Sequence, residues 1–226
     1  MGRSLAKLLV ENDYIVGITG RRAGILEEIK NQEPKSYFVE PFDTTDILNI
    51  PDHLNKLVLA LGGLDLLVIS SGTGDLNETL NFEIEKRTID TNVSGFTAIA
   101  DWTFNYFQVQ KQGHLVAISS LAGLRGNRQA PSYNATKAYQ INYLEALRNK
   151  AYKTSYPICI TDVRPGYVDT DMAKGDGLFW VQTVDKTVKQ IFRAIQKKQK
   201  IVYVTKRWRL IAWIMISAPN WVACRI

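Results

Sequence analysis

SSLAGLRGNRQAPSYNATKAY, residues 119–139, joins the end of one apolar run to the start of a long helical pattern. Leu115 to Ser119 is too short and too apolar for most helices and reads as a strand covered on both faces. Ser132 to Ala151 has helical periodicity throughout. Tyr133 and Lys137 are four apart, which places them one turn apart on a single helix face. An ammonium held near a phenol favours the phenolate, and an unperturbed phenol titrates near ~10, too high for a base at neutral pH. Ser120 follows the strand, at the edge of the sheet where open α/β folds bind ligands. A Tyr-x-x-x-Lys pair is by itself weak, because both residues are common on exposed helix faces.

Outward from this stretch, helix and strand alternate along the whole chain. Leu5, Leu8 and Leu9 mark an opening helix, and Tyr14 to Thr19 a strand ending in Gly20-Arg21-Arg22. Ile25 to Lys30 is helical, and Tyr37-Phe38-Val39 is a short strand stopped by Pro41. Leu54, Leu57, Val58 and Leu61 predict a helix capped by Gly62-Gly63, and Leu64 to Ser70 a strand buried on both faces. A helical stretch runs from about Phe82 to Gln110. Ile158 to Val163 is a strand leading to Arg164-Pro165-Gly166; Val184, Val188, Ile191 and Ile195 form a helical stripe, and Ile201 to Val204 closes the sheet. This cadence predicts an α/β fold, a doubly wound Rossmann-type parallel sheet with helices on both faces, built as one domain over residues 1–226.

The chain has 226 residues, 46% of them hydrophobic and 22% charged, which excludes a disordered chain. Cys159 and Cys224 are the only cysteines, too few with two histidines for a zinc cluster, and they point to a reducing cytoplasm. No basic segment followed by an apolar run marks a secretory signal. The net charge of +6 is uneven: from Thr183 onward ten cations oppose Asp185 alone, leaving the rest net negative. Such a tail is read either as a solvated helix face or as a surface for phosphate, acidic lipid or nucleic acid.

Three further elements accompany the Tyr-Lys pair: Asn92 in TIDTNVSGF, the strand-end serine, and VRPGYVDTDM after the next strand. Together, in this order and spacing, the set resembles the short-chain dehydrogenase/reductase family over nearly the whole chain. The resemblance implies that Tyr133 is the general acid in carbonyl reduction and the base in alcohol oxidation. It implies that Lys137 binds the nicotinamide ribose and tunes Tyr133, that Ser120 holds the substrate oxygen, and that Asn92 anchors a water relaying protons to Lys137. Pro165, Gly166 and Val168 line the nicotinamide by the same likeness, and Thr170 reaches its carboxamide. Ser119 is one residue short of the family spacing, so catalysis falls to Ser120.

For the cofactor, a carboxylate at the second strand's end would accept ribose hydroxyls and repel a 2′-phosphate. The sequence offers Arg21 and Arg22 there instead, planar permanent cations, so NADP(H) is preferred to NAD(H). Asp43 matches the family aspartate that accepts from the adenine amino group, with Thr44 beside it, although a D-T-T-D stretch also makes a turn or helix cap. Two departures stand out. The family's Asn-Asn-Ala-Gly is Ile69-Ser70-Ser71-Gly72, where Gly72 keeps the close backbone approach and Ser70 and Ser71 replace lost hydrogen bonds. Gly2 fits the last glycine of the family's Thr-Gly-x-x-x-Gly-x-Gly, so the central first strand and most of the phosphate loop are expected to be missing. Either an internal methionine has been taken for the start or the product is truncated. Each backbone group left without a partner at that gap costs ~1–3 kcal/mol.

Met172, Gly175, Gly177, Leu178, Phe179 and Trp180 read as a short lid over a substrate with apolar surface. Residues 206–226 read as an apolar helical extension, whose run Leu210 to Ala218 is under half of the ~20 residues a spanning helix needs. It fits either an interfacial helix in peripheral membrane contact or a cover for the cleft or a subunit contact. The expected protein is a cytoplasmic NADP(H)-dependent oxidoreductase acting on a carbonyl or secondary alcohol, a homo-dimer or homo-tetramer by analogy, without nucleic-acid partners or metal. The rival reading is a non-catalytic nucleotide-binding or scaffold protein on the same fold, or an inactive truncated product.

Overall fold

Leu115 and Ala117 project from one side of their strand and Val116 and Ile118 from the other, and all four are buried. Helices must therefore cover both faces of the sheet. The computed structural model, which describes residues 1–170, 179–217 and 219, shows that arrangement. Its strands are β1 (Val16–Gly20), β2 (Tyr37–Pro41), β3 (Leu66–Ile69), β4 (Gly113–Ile118), β5 (Ile158–Pro165) and β6 (Ile201–Val204). The helices are α1 (Gly2–Val10), α2 (Ala23–Gln32), α3 (Ile50–Leu61), α4 (Phe82–Ile89), α5 (Phe96–Gln110), α6 (Pro131–Lys153), α7 (Val184–Gln196) and α8 (Trp208–Ser217). Every strand pairing is parallel.

The strands form two pieces, β1-β2 and β3-β4-β5-β6. Among the described residues β1 pairs with β2 alone and β3 with β4 alone, so each carries one unpaired ladder edge, as the sequence leads one to expect. One difference follows. The sequence pattern predicts a fully buried third strand, yet Leu66, Leu67 and Val68 are only half-buried, because a strand at an edge is not covered on that side. On one face, Phe96, Ile99, Phe104 and Phe107 of α5 and Leu144 and Leu147 of α6 pack on Leu115, Ala117 and Ile160. On the other, Leu5 and Leu9 of α1 and Val188, Ile191 and Ile195 of α7 pack on Val116, Ile118 and Val163.

Local chemistry explains the ends. Gly62 caps α3 with φ 78°, a left-handed conformation suited to glycine. The expected Phe82–Gln110 helix is divided by a π-helical turn, Asp90–Gly95, which contains Asn92. Of the expected lid and tail, residues 171–178, 218 and 220–226, including Met172, Gly175, Gly177, Leu178, Cys224 and Arg225, lie outside the described residues. Among the described residues no helix is long and apolar enough to cross a membrane. The inner face of α8, Trp208 and Ala212, packs on Leu121, while Leu210, Trp213, Ile214 and Ile216 face outward.

Candidate active site

In a parallel sheet every strand ends on the same edge, and this edge collects the residues singled out from the sequence. Arg21 and Arg22 follow β1, Asp43 and Thr44 follow β2, and Ser70, Ser71 and Gly72 follow β3. Ser120 follows β4; Pro165 ends β5, with Gly166 next. Tyr133 and Lys137 reach the edge from the first turns of α6, where Pro131 suits the opening position of a helix.

Ser120 has extended backbone and caps a 3-10 turn, Leu121–Leu124, its Oγ accepting from the Ala122 amide at 3.1 Å. The same hydroxyl acts on the Tyr133 phenol, favouring its ionised form. Ser119, one residue earlier, points into the protein, donating to the Asp162 carboxylate and to the Val163 carbonyl. Tyr133 packs tightly on the loop after β3: a Cβ at Gly74 would lie 2.3 Å from its ring.

Lys137 is buried, its Nζ 5.8 Å from the Tyr133 ring centroid. Its ammonium donates to the Ile118 carbonyl at 3.1 Å and to Gln140 Oε1 at 2.9 Å. Burial lowers the Lys137 pKa to about 8, against the opposing pull of Asp162. Burial also pushes the Tyr133 phenol above its ordinary value, with the Ser120 hydroxyl working the other way. The spacing of the pair leads one to expect a phenol made acidic by its lysine; in the folded chain desolvation raises the phenol instead, and the opposing influence comes from Ser120.

Asn92 is fully buried and serves as a bolt. Its side chain accepts from the Thr73 amide at 2.9 Å and donates to the Thr73 carbonyl at 2.7 Å and Thr136 Oγ1 at 3.0 Å. Its backbone carbonyl accepts from Gln140 Nε2 at 2.9 Å. An amide therefore bridges Asn92 to Lys137, along the line where the family likeness implied a water. Gly72 faces this group; a Cβ there would touch Asn92 Oδ1 and Lys137 Nζ at 3.4 Å.

At the far end of the edge, Arg21 and Arg22 are exposed, with one Arg21 nitrogen 3.8 Å from Asp43. Asp43 Oδ1 accepts from the Thr45 amide and hydroxyl, both at 2.9 Å, so the residue does form a turn. The Thr44 carbonyl rests against Gly95 of the π-helical turn, which leaves no room for a Cβ there. Gly2 opens α1 beside Ser70, a Cβ on it falling 2.7 Å from Ser70 Oγ. At β5 the Gly166 amide donates to Val204 and the Thr170 hydroxyl to the Val168 carbonyl. A Cβ at Gly166 would collide with the Trp208 indole, around which the rings of Tyr167, Phe179 and Trp180 gather at 5.2–5.9 Å.

Sequence reading passed over several of these residues. Gln140 reads as a polar residue on a long helix, three positions after Lys137, and that spacing was the available signal. Asp162 lies in a strand of apolar pattern, fully buried and paired with Arg164 at 2.7 Å. Gly74, Gly123 and Trp208 carry no motif of their own.

A family model described as short chain dehydrogenase matches residues 1–177. An uncharacterized oxidoreductase of Myxococcus xanthus (strain DK1622) is 32% identical over 177 residues, covering 76% of this chain and 69% of that protein. Among solved structures, a short-chain dehydrogenase from Sphingobium yanoikuyae in complex with NADPH superposes with a TM-score of 0.80 at 17% identity, over 97% of this chain and 92% of its own. ElxO with NADP bound superposes with a TM-score of 0.77 at 23% identity, over 90% of this chain and 92% of its own.

Proposed function

The chain belongs to the short-chain dehydrogenase family of oxidoreductases, and on that premise we propose that it reduces a ketone or aldehyde with NADPH, in a reaction reversible in principle. The observation that carries the reading is the grouping of three side chains at the tip of β4: the Ser120 hydroxyl, which favours ionisation of the Tyr133 phenol, and the buried Lys137, one helical turn beyond with its Nζ 5.8 Å from the Tyr133 ring.

NADP(H) fits the residues at the strand edge. Arg21 and Arg22 are exposed cations suited to a 2′-phosphate, and Gly72 leaves its backbone open beside Lys137. The NADP and NADPH in the two superposed structures support the same choice. Asp43 and Thr44 would flank the adenine, Gly2, Ser70 and Ser71 the phosphates, and Pro165, Gly166, Val168 and Thr170 the nicotinamide. When bound, the reduced nicotinamide supplies a hydride to the carbonyl carbon.

The protein's own groups supply the rest. Burial keeps the Tyr133 phenol protonated at neutral pH, which suits a general acid that passes its proton to the substrate oxygen. The Ser120 hydroxyl holds that oxygen, and the Lys137 ammonium binds the ribose and compensates the phenolate left behind. Asn92 keeps the Thr73 loop and α6 in register. The aromatic surface of Tyr167, Phe179 and Trp180 suits a substrate with apolar surface. Stacked pairs on α5 and α6, Trp102–Tyr106 and Tyr139–Tyr143, suit contact with a second copy.

Fluorescence titration with NADPH and rates on an aryl ketone test the reading. Tyr133→Phe should bind NADPH like the parent and lose turnover by about 10²-fold or more. Substantial turnover without the phenolic hydroxyl would refute it.

A further inference from the structure

Gln140 lies wholly inside the protein, 1% exposed, with a polar partner at each end of its amide. Lys137 Nζ can only donate, so the amide atom facing it at 2.9 Å is the oxygen. The Asn92 carbonyl can only accept, so the atom facing it at 2.9 Å is the nitrogen. The two requirements agree and leave the side chain a single orientation. The Asn92 carbonyl is itself fixed, because the Asn92 side chain is bonded to Thr73 and to Thr136 of α6. A continuous chain of hydrogen bonds thus runs from Thr73 through Asn92, Gln140 and Lys137 to Ile118 at the end of β4.

An ammonium has three donors. Two are engaged, by Gln140 and by Ile118, and the third is left toward Gly72 and Tyr133. The ionisable groups that face Lys137 are Tyr133, on its own helix, and Asp162 of β5, whose carboxylate is already held by Arg164 and Ser119. An apolar side chain of the same size would leave a buried N–H and a buried carbonyl unpaired.

We propose that Gln140 is a positioning residue: its amide, oriented by the Asn92 carbonyl, holds the Lys137 side chain in its charged form and aims the remaining N–H at the site of phenol and ribose. The value of this to catalysis rests on the function proposed above; the bridge itself does not.

The test reads the proton on Lys137 directly. Full-length protein carrying lysine labelled with ¹³C at Cε is titrated by NMR, with Lys137→Met identifying the resonance. Gln140→Met removes an acceptor from the ammonium and should lower the titration midpoint by about one pH unit. Gln140→Glu keeps an oxygen beside the ammonium and adds a charge, so its midpoint should rise. Opposite shifts are not produced by loss of packing alone. Unchanged midpoints in both variants would overturn the proposal. So would failure of both to fold, which would make Gln140 a core residue and nothing more. A parallel titration with NADPH keeps the two ideas apart: affinity should decline with rising pH at the Lys137 midpoint in each variant. If the midpoints move and NADPH binds at no pH, the bridge stands and the proposed function falls.

Discussion

Gly123 offers a measure of how closely the loop after β4 must sit on α6. It lies in the 3-10 turn that follows Ser120, and a Cβ there would lie 2.6–2.8 Å from the Lys137 carbonyl group and the Ala138 amide nitrogen. Those are backbone atoms in the middle of α6 and cannot rotate away. Relieving the closest contact to 3.4 Å means opening the gap by about 0.8 Å. The turn is also clamped to α6 by Asn134 Nδ2, which donates to the Ala122 and Arg125 carbonyls at 2.8 and 2.7 Å, so opening it strains those bonds too. Overpacking of this kind costs about 1–3 kcal/mol, a fall in Tm of about 3–10 °C for a chain of this size. The larger effect should be chemical, because Ser120 moves with the turn while Tyr133 stays with the helix. A misplacement near 1 Å costs about 10²-fold in rate, so Gly123→Ala should lose about 10- to 100-fold in kcat/KM for an aryl ketone. NADPH affinity, measured by fluorescence, should hold near the parent value. Gly126→Ala is the control, since nothing lies within 4 Å of a Cβ there. Parent-like kcat/KM in Gly123→Ala would refute the claim that this contact sets the Ser120–Tyr133 geometry.

Two further outcomes follow from other parts of the molecule. His114 is buried with its Nε2 2.8 Å from Thr161 Oγ1, and burial lowers its pKa to about 4, Lys198 adding to the effect. A base depressed in the folded state keeps its full stabilising contribution above the unfolded value of 6.5 and loses it as the pH falls toward about 4. Stability should therefore drop by up to about 3 kcal/mol across that interval, and urea melts of His114→Gln should show a distinctly shallower decline; an equal decline would assign the acid sensitivity elsewhere. At the other end of the edge, Arg21→Glu combined with Arg22→Glu should reverse the nucleotide preference. NADPH affinity should weaken about tenfold or more while NADH affinity is unchanged or improved, and equal losses for both would remove these arginines from the 2′-phosphate site.

The sequence alone determined the alternation of helix and strand, the parallel cadence and the positions of Ser120, Tyr133 and Lys137, because each depends on near-neighbour spacing. Leu115 to Ile118 reads as a doubly covered strand from its own apolar run, and Tyr133 and Lys137 share a face because a helix turns every ~3.6 residues. The break in the sheet between β1 and β3 was also legible, as a strand the pattern lacks. What depended on distant partners was not. Lys137 Nζ meets Ile118, and Gln140 meets Asn92 across 48 positions, only once α6 has docked against β4 and the π-helical turn. The direction of the Tyr133 shift was likewise set by tertiary structure. Spacing places a cation within reach, but desolvation depends on how completely the surrounding elements exclude water, and here it sets the upward direction against the pull of Ser120. Periodicity records which face of an element turns inward; burial and hydrogen-bond partners are properties of the assembled layers.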